Sequence, residues 1–410
     1  MQEQHKRKRQ EKWIFGILIL GSILVNIKKI LTSFDVDVEY ALAMSYRMVK
    51  GDKMFLQMWE PHQTSAFLTT AFMWLYLKLF HTTTGIAIYM NLVGVLLKWT
   101  TTVVLYRTLR KYADRRVLLC MCIFFFTVNP KDILMPEFSN MQLWFSVLLF
   151  CSLFQYIRNQ EKKGWLLLAG LFLCLEILAY PSCVMVYFGI LLCLMLYARN
   201  KRTDILLLTG ECIAGGSLYI LYFALHMGIG ELWSNLREIA LGDESHGGVA
   251  LTKWSGYGRD AAEILAVVVL YAVLSYSLVK AYTFFKSRRT GIPPKSREWY
   301  IAVFLLCFCV QDFIRIITVA EGARHLAVYL PICILGWKLC KYCSVEESQA
   351  CRMGIVINAC GIVATLLLTN CTVFTTLAYG VLGVCVSMLS CGSAAIRRVG
   401  AAEEAVVSAC

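Results

Sequence analysis

The chain has 410 residues, of which 58% are hydrophobic and 16% are charged. This composition argues against a soluble globular fold, in which about half of the residues are apolar. The net charge of +13 comes from short basic runs between apolar segments, and this distribution argues against a nucleic-acid-binding surface. The 18 cysteines lie mostly in apolar segments or basic loops, so a disulfide framework is not indicated either.

The N-terminal segment, residues 1–12, is basic and precedes an apolar run that begins at Trp13, as in a secretory signal. The run continues past Ile27 and ends in a lysine-containing segment rather than at a small-residue cleavage site. We therefore predict a first transmembrane anchor with a cytoplasmic N-terminus. The polar segment 34–63 follows and should face the non-cytoplasmic side. Its residues 38–49 have the apolar spacing of an amphipathic helix lying on the outer surface.

Basic clusters recur along the chain and mark the cytoplasmic face by the positive-inside rule. They span residues 5–12, 107–116, 158–163, 199–202, 286–297, 338–341 and 397–398. From residue 116 onward, consecutive clusters enclose two apolar runs, as a transmembrane helical hairpin requires. The hairpins are predicted at 117–128 with 141–157, 165–178 with 184–197, 205–225 with 261–285, 299–319 with 326–337, and 353–368 with 373–389.

The predicted fold class is all-α, a polytopic transmembrane helical bundle of about 11–13 membrane helices with an amphipathic outer loop after the first helix. Residues 1–410 should form a single integral membrane domain, with a long outer loop at 226–260 and a cytoplasmic tail at 390–410.

The N-terminal third does not fit the regular pattern. Three apolar runs, 13–31, 66–80 and 85–106, lie between two basic clusters that should both be cytoplasmic. An odd number of crossings cannot place both clusters inside. Either one run is re-entrant or interfacial, or the cluster 107–116 faces outward, where it could meet lipid phosphates. The sequence leaves both alternatives open.

The acids directly after the first helix form an ordered pattern. Asp35-Val36-Asp37 is followed by Ala43, by Gly51-Asp52, and then by the segment Trp59-Glu60-Pro61-His62. This pattern resembles the first outer loop of GT-C glycosyltransferases, most closely the branch containing protein O-mannosyltransferases and lipid A aminoarabinose transferases. Those enzymes use polyprenyl-phosphate sugars as donors. The resemblance implies that Asp35 is the catalytic carboxylate, since Ala43 and Gly51 match the family spacing.

The pattern also departs from the family. Many members have an Asp-Glu pair where this chain reads Asp-Val-Asp, so Asp37 remains an alternative to Asp35. A carboxylate at the membrane surface can take the proton of an acceptor hydroxyl as the sugar is transferred. Acids on an outer loop are, however, often only solvated, and the alternative role of Glu39 is to balance Arg47 or Lys50 on a surface helix.

Transfer from a lipid phosphate also requires groups that bind the donor and stabilise the leaving phosphate, for which Arg and Lys are suited. A loop histidine can hydrogen-bond the substrate, clustered acids and glycines can close over it, and an Asp–Arg pair within an apolar helix can face a polar cavity. A solvated or purely structural role is the alternative at each position. The candidate substrate-binding residues are Arg47, Glu60, His62, Asp243, His246, Asp312, Arg315 and Arg324.

The predicted function is transfer of a sugar from a polyprenyl-phosphate donor to a glycan, lipid or protein acceptor, at the outer face of a membrane that we expect to be the bacterial plasma membrane. No cofactor is required, although the outer acids are compatible with a divalent metal ion. The lone CxxC of Cys340 and Cys343 lacks a second pair at zinc-site spacing.

Two other functions remain open from the sequence. The first is a flippase or transporter for a lipid-linked saccharide, suggested by Lys98, Glu176 and Glu211 within apolar runs. The second is an O-antigen-polymerase-like enzyme, whose key residues would be His246 and Arg259 in the long outer loop.

Overall fold

The computed structural model describes residues 2–58, 63–129, 133–242, 250–290, 329–368, 380–390 and 392. These residues are almost entirely helical, and no strand is found among them. The helices are α1 Gln2–Thr32, α2 Val36–Lys50, α3 Ala66–Phe80, α4 Ile86–Leu109, α5 Arg115–Thr127, α6 Phe138–Arg158, α7 Gly164–Ala179, α8 Val184–Tyr197, α9 Lys201–His226, α10 Ile229–Gly242, α11 Ala250–Thr290, α12 Tyr329–Leu339, α13 Val345–Leu368 and α14 Val381–Ser390.

Six of these helices are long and apolar enough to cross a membrane: α1, α4, α6, α9, α11 and α13. Many of the large apolar side chains on α1, α9 and α11 are exposed, as expected for helices that face lipid. The chain is therefore an all-α integral membrane protein, as predicted. The count of membrane helices stays a prediction, because the predicted run 299–319 lies outside the described residues.

The centre of the bundle is α6, which is buried over most of its length. Helices α7, α13 and α4 pack against it, and α8 packs against α13. At one end of the bundle, α6, α7 and α9 are joined by Asp204, whose carboxylate accepts hydrogen bonds from Tyr156 (2.6 Å) and Lys163. We expect this end to be cytoplasmic. These contacts place the basic segments 158–163 and 199–202 at the same end of the bundle, as the positive-inside rule predicts.

Helices α1 and α5 lie side by side in parallel. Arg116 pairs with Glu11 at 2.6 Å near the start of both helices. Farther along, Ser22 Oγ lies 2.7 Å from Thr127 Oγ1. The basic cluster 107–116 is therefore on the same side of the molecule as the basic N-terminal segment.

Helix α4 runs in the opposite direction, with its beginning beside the end of α1. Asn91 Nδ2 donates to the carbonyl oxygens of Ile30 (3.1 Å) and Ser33 (3.3 Å). α4 thus starts at the outer side and ends at the basic cluster. Between the first two clusters, α1 and α4 supply an even number of crossings.

The remaining apolar run of the N-terminal third, α3, stays on the outer side. Its Thr69 hydroxyl lies 2.5 Å from that of Ser45 on α2, and Tyr76 donates to the Thr84 carbonyl in front of α4. This geometry places α3 on the same side of the molecule as the end of α1 and the start of α4, opposite the cluster 107–116. It favours the alternative in which α3 is the run that does not cross.

Candidate functional site in the first outer loop

Asp35 lies where α1 ends and α2 begins, on the side opposite the basic clusters. It is the N-cap residue of α2: its backbone is extended, and its side chain accepts a 2.5 Å hydrogen bond from the backbone N–H of Val36. Aspartate suits this position because its carboxylate satisfies an N–H group that has no partner within the helix. The side chain is exposed, so it is open to a substrate at this surface.

Asp37 lies in the first turn of α2 and is partly buried. An acid in the first turn interacts favourably with the positive end of the helix dipole. The structure thus brings the two candidate catalytic acids to the same helix terminus and leaves Asp35 the more exposed of the two.

Gly51 ends α2, with a backbone φ of +108°. This left-handed conformation is strained for residues with a Cβ, so glycine is favoured here. Its N–H and that of Asp52 bond to the last carbonyls of the helix. The spacing from Asp35 to Gly51, which carries the family resemblance, is therefore also the spacing between the two caps of α2.

Arg47 holds the turn after α2. Its Nε donates to Asp52 Oδ2 at 2.6 Å, and its Nη2 donates to the Gln57 carbonyl at 2.6 Å. The Arg47 side chain is nevertheless 47% exposed. The guanidinium therefore has a structural partner and still reaches the surface, which leaves its role in donor binding a prediction.

The inner face of α2 rests on the segment between α5 and α6. Val38 and Ala41 form a buried cluster with Met90, Ile133 and Met135. Asn140 Nδ2 fixes this segment by donating to the carbonyls of Ile133 (3.0 Å) and Met135 (2.9 Å). The helix that carries the candidate acids is thus supported by the packed segment between α5 and α6.

Two features of α4 hold that segment in place. A Cβ at Gly94 would lie 1.8 Å from the Leu134 carbonyl oxygen, so only glycine allows this close approach. Lys98, which is buried, donates to the Val128 carbonyl and to Asn129 Oδ1. The sequence identifies Lys98 as a buried cation within an apolar run, but it gives no signal for the supporting roles of Gly94 and Asn140.

The end of the outer loop is tied to α9 and α10. Met54, Phe55 and Met58 are buried against Phe223 and Met227 at the end of α9. Asn235 of α10 donates to the Phe55 carbonyl. The loop is therefore packed against the bundle on this side too.

The other predicted substrate-binding residues lie outside the described residues: Glu60, His62, Asp243, His246, Asp312, Arg315 and Arg324. Within the described part of the chain, no cluster of three or more His, Cys, Asp or Glu side chains could hold a metal ion.

Cys340 of the CxxC is buried at the cytoplasmic end of α12 and lies 3.4 Å from the Ser390 hydroxyl. Hydrogen bonding from Cys351, aided by that from Ser390, lowers the pKa of Cys340 to about 7. The sequence shows the pair Cys340 and Cys343, but it gives no sign of the contact with Cys351.

No protein-family model matches the chain, and no curated protein matches it in sequence. Among solved structures it is similar to the archaeal oligosaccharyltransferase AglB from Archaeoglobus fulgidus in complex with an inhibitory peptide and a dolichol-phosphate. The identity is 12% and the TM-score 0.46, with 93% of this chain and 50% of that chain covered.

The oligosaccharyltransferase of the same organism, tethered with an acceptor peptide, gives 12% identity and a TM-score of 0.48, covering 92% of this chain and 49% of that one. Its apo form gives 12% identity and a TM-score of 0.47, covering 92% and 50%. The chain spans about half the length of these archaeal enzymes.

Proposed function

We propose that this protein is a membrane glycosyltransferase that moves a sugar from a polyprenyl-phosphate donor to an acceptor hydroxyl at the non-cytoplasmic face. The observation that carries the proposal is the position of Asp35. It is an exposed carboxylate between the outer end of α1 and the start of α2. Helix α2 is capped at both ends, and its inner face is packed against the bundle. The GT-C-like order of residues in the same segment supports this assignment.

The chemistry requires a base at the surface where donor and acceptor meet. Asp35, or Asp37 in the first turn of the helix, takes the acceptor proton as the new glycosidic bond forms. The lipid phosphate leaves with its charge and needs a nearby cation. Arg47 is half-exposed, but it lies twelve residues after Asp35, about 18 Å along α2. The cations proposed for the leaving phosphate are therefore Arg315 and Arg324, and Arg47 is proposed to bind the donor farther from the reacting carbon.

The remaining predicted residues complete the proposal. Glu60 and His62 belong to the same loop, Asp243 and His246 to the long outer loop, and Asp312, Arg315 and Arg324 to the apolar segment that follows α11. The acceptor is a glycan, lipid or protein, and the proposed location is the bacterial plasma membrane. A divalent metal ion at the outer acids remains compatible with this chemistry.

The test is transfer from radiolabelled polyprenyl-phosphate pentoses and hexoses in membranes containing the protein. Asp35→Asn should lower the rate by about 10²–10⁴-fold, the range expected for loss of a general base. Asn is also a good N-cap residue, so the helix should be preserved. Full activity of both Asp35→Asn and Asp37→Asn would refute the proposal.

Asp114 provides a matched control. It is the N-cap of α5 and accepts a 2.8 Å hydrogen bond from the backbone N–H of Arg116, at the cytoplasmic end of the bundle. Asp114→Asn makes the same chemical change at the same kind of position. We expect it to retain activity, and an equal loss in both variants would indicate that the effect is structural.

A flippase for a lipid-linked saccharide is the second candidate. The fully buried Glu176 and the buried Lys98 favour it, because ionisable groups within the membrane are common in transporters. Movement of a fluorescent polyprenyl-phosphate sugar between leaflets of liposomes, without any glycosyl product, would support the flippase over the transferase.

A further inference from the structure

A polar cluster lies inside the bundle near the outer ends of α6 and α7. Glu176 of α7 has no exposed surface, and its Oε1 accepts a 2.5 Å hydrogen bond from Ser146 Oγ of α6. The Cys183 thiol lies within hydrogen-bonding reach of both Glu176 and Gln142. The transferase proposal gives no role to any of these side chains.

No cation among the described residues balances a charge on Glu176. On the helices packed against α7, the basic groups nearest the bundle are at the opposite, cytoplasmic end, where Lys163 pairs with Asp204. Arg158 stacks on Tyr112 and approaches Glu347 at that end too. The acids and thiols on these elements include Glu137 before α6, Glu211 and Cys212 on α9, and Cys174 and Cys183. The basic groups of α9 are Lys201 and Arg202 at its start and His226 at its end, and all three are exposed.

An ionised carboxylate without a counter-charge is costly in the membrane interior. Insertion of an ionised acid at the centre of a membrane helix costs free energy, and an isolated charge in a protein interior avoids this cost by becoming neutral. A neutral acid offers one O–H donor and retains acceptor capacity. The surroundings of Glu176 therefore favour its protonated form.

The hydrogen-bond inventory of the cluster supports the same form. Among the described residues, neither Glu176 Oε2 nor Gln142 Oε1 has a donor, and both atoms are buried. A buried acceptor without a donor costs free energy, whereas a proton on Glu176 supplies a donor within the cluster. The Ser182 hydroxyl, which has no partner among the described residues either, belongs to the same region.

A cavity beside this cluster is lined by Gln142, Ser146, Asn358, Gly361 and three apolar side chains. The centre of a water molecule can occupy about 10 Å³ of this cavity, so the cavity has room for about one water molecule. Three of its lining side chains carry polar atoms, so a water molecule would find hydrogen-bond partners. The site lies at the end of α7, which also packs against residues 63–65 of the first outer loop.

We propose that Glu176 is a neutral carboxylic acid, joined through Ser146 to one water molecule that Gln142, Ser146 and Asn358 hold in the cavity. This buried hydrogen-bonded site positions the outer ends of α6, α7 and α13. The acid donates its proton within the site, and Ser146 donates to its carbonyl oxygen. The site is independent of the glycosyltransferase assignment.

Infrared spectroscopy of the purified full-length protein tests the protonation state directly. A protonated carboxylic acid has a C=O stretching band well separated from the carboxylate bands, and we expect Glu176→Gln to remove one such band at neutral pH. Glu176→Gln should also melt at the same temperature as the wild-type protein, because the amide is neutral and of similar shape. Glu176→Ala should melt at a lower temperature.

Gly361→Ala tests the water. The added methyl group would lie 3.5 Å from Gln142 Nε2, an ordinary contact, so it should fill the cavity without a clash. We expect the Glu176 band to shift, because Ser146, which donates to Glu176 Oε1, loses the water that it contacts in the cavity, while the melting temperature is retained.

Three results would overturn the proposal. If Glu176→Gln removes a carboxylate band instead, the residue is ionised. If the melting temperature of the wild-type protein rises with sodium chloride but not with choline chloride, and Glu176→Gln abolishes this difference, the site binds a cation. If Gly361→Ala leaves the band unchanged, no water in the cavity is coupled to the acid through Ser146.

Discussion

The buried ion pair at the cytoplasmic end of the bundle gives a quantitative prediction about stability. Asp204 at the start of α9 has no exposed surface, and its two oxygens are bound by Lys163, which precedes α7, and by Tyr156 of α6. Lys163→Met removes the cation and leaves the carboxylate buried with only the tyrosine hydroxyl. In this variant α7 loses its contact with Asp204, whereas the bond between α6 and α9 remains.

The magnitude follows from the burial of each partner. Removing one partner of a fully buried ion pair costs about 3–5 kcal/mol. The Lys163 side chain is 29% exposed, so solvent screens part of the interaction, and the bond from Tyr156 remains. We therefore expect Lys163→Met to lower the free energy of unfolding by about 2–3 kcal/mol.

The assay is a titration of the purified protein from mild detergent into sodium dodecyl sulfate, followed by circular dichroism. Arg116→Met is the control, because Arg116 pairs with Glu11 but its side chain is 66% exposed, and an exposed pair contributes at most about 1 kcal/mol. The double variant Lys163→Met, Asp204→Asn should be more stable than Lys163→Met, since it buries no uncompensated charge. Equal effects of Lys163→Met and Arg116→Met would refute this reasoning.

Three further predictions concern single positions. Gly51→Ala should destabilise the protein by roughly 1–2 kcal/mol, because φ is +108° at the end of α2, and a thermal melt checks it. Gly94→Ala should cost more than Gly51→Ala in the same melt, since its Cβ would meet the Leu134 carbonyl at 1.8 Å; equal costs would contradict this. Trp233 on α10 is 70% exposed and lies beside the end of α9, so we expect it to contact lipid. Brominated lipids should then quench its fluorescence, and Trp233→Phe should remove the quenched component, as Trp99→Phe should for the membrane helix α4. Quenching of Trp233 by aqueous iodide alone would contradict this prediction.

The apolar periodicity and the basic clusters predict the membrane helices well. The predicted run 184–197 coincides with α8, because Pro181 and the turn before it start a new helix and a basic segment follows its end. The predicted run 261–285 is shorter than α11, which begins at Ala250. The difference arises because polar residues can continue a helix beyond the membrane, where hydropathy no longer marks its end.

The arrangement of the N-terminal third could not be derived from the sequence. Whether α3 crosses depends on which helix it contacts, and the apolar composition of a 15-residue run does not specify this. The decisive contacts join residues far apart in the chain, such as Asn91 with Ile30 and Arg116 with Glu11. The same reason hides the support beneath α2, since Asn140 and Gly94 have ordinary neighbours in sequence.

The sequence predicts the position of Asp35, but it does not separate a catalytic role of this residue from a structural one. The spacing of Asp35 and Gly51 resembles that of a catalytic loop, and in the structure the same two residues cap α2. An acid at this position can cap the helix, and it can also accept a proton from a substrate. The spacing therefore cannot distinguish the two roles, and the distinction requires variants that change one role at a time.

Asp35→Asn, Asp35→Ser and Asp35→Ala form such a series. Asn and Ser retain a side-chain acceptor for the N–H groups of α2, whereas Ala does not and should cost about 1 kcal/mol of stability. None of the three can act as a base at neutral pH. If Asp35 is the base, sugar transfer is lost in all three variants although only the Ala variant melts at a lower temperature. If Asp35 only caps α2, activity follows stability, and the Asn and Ser variants remain active.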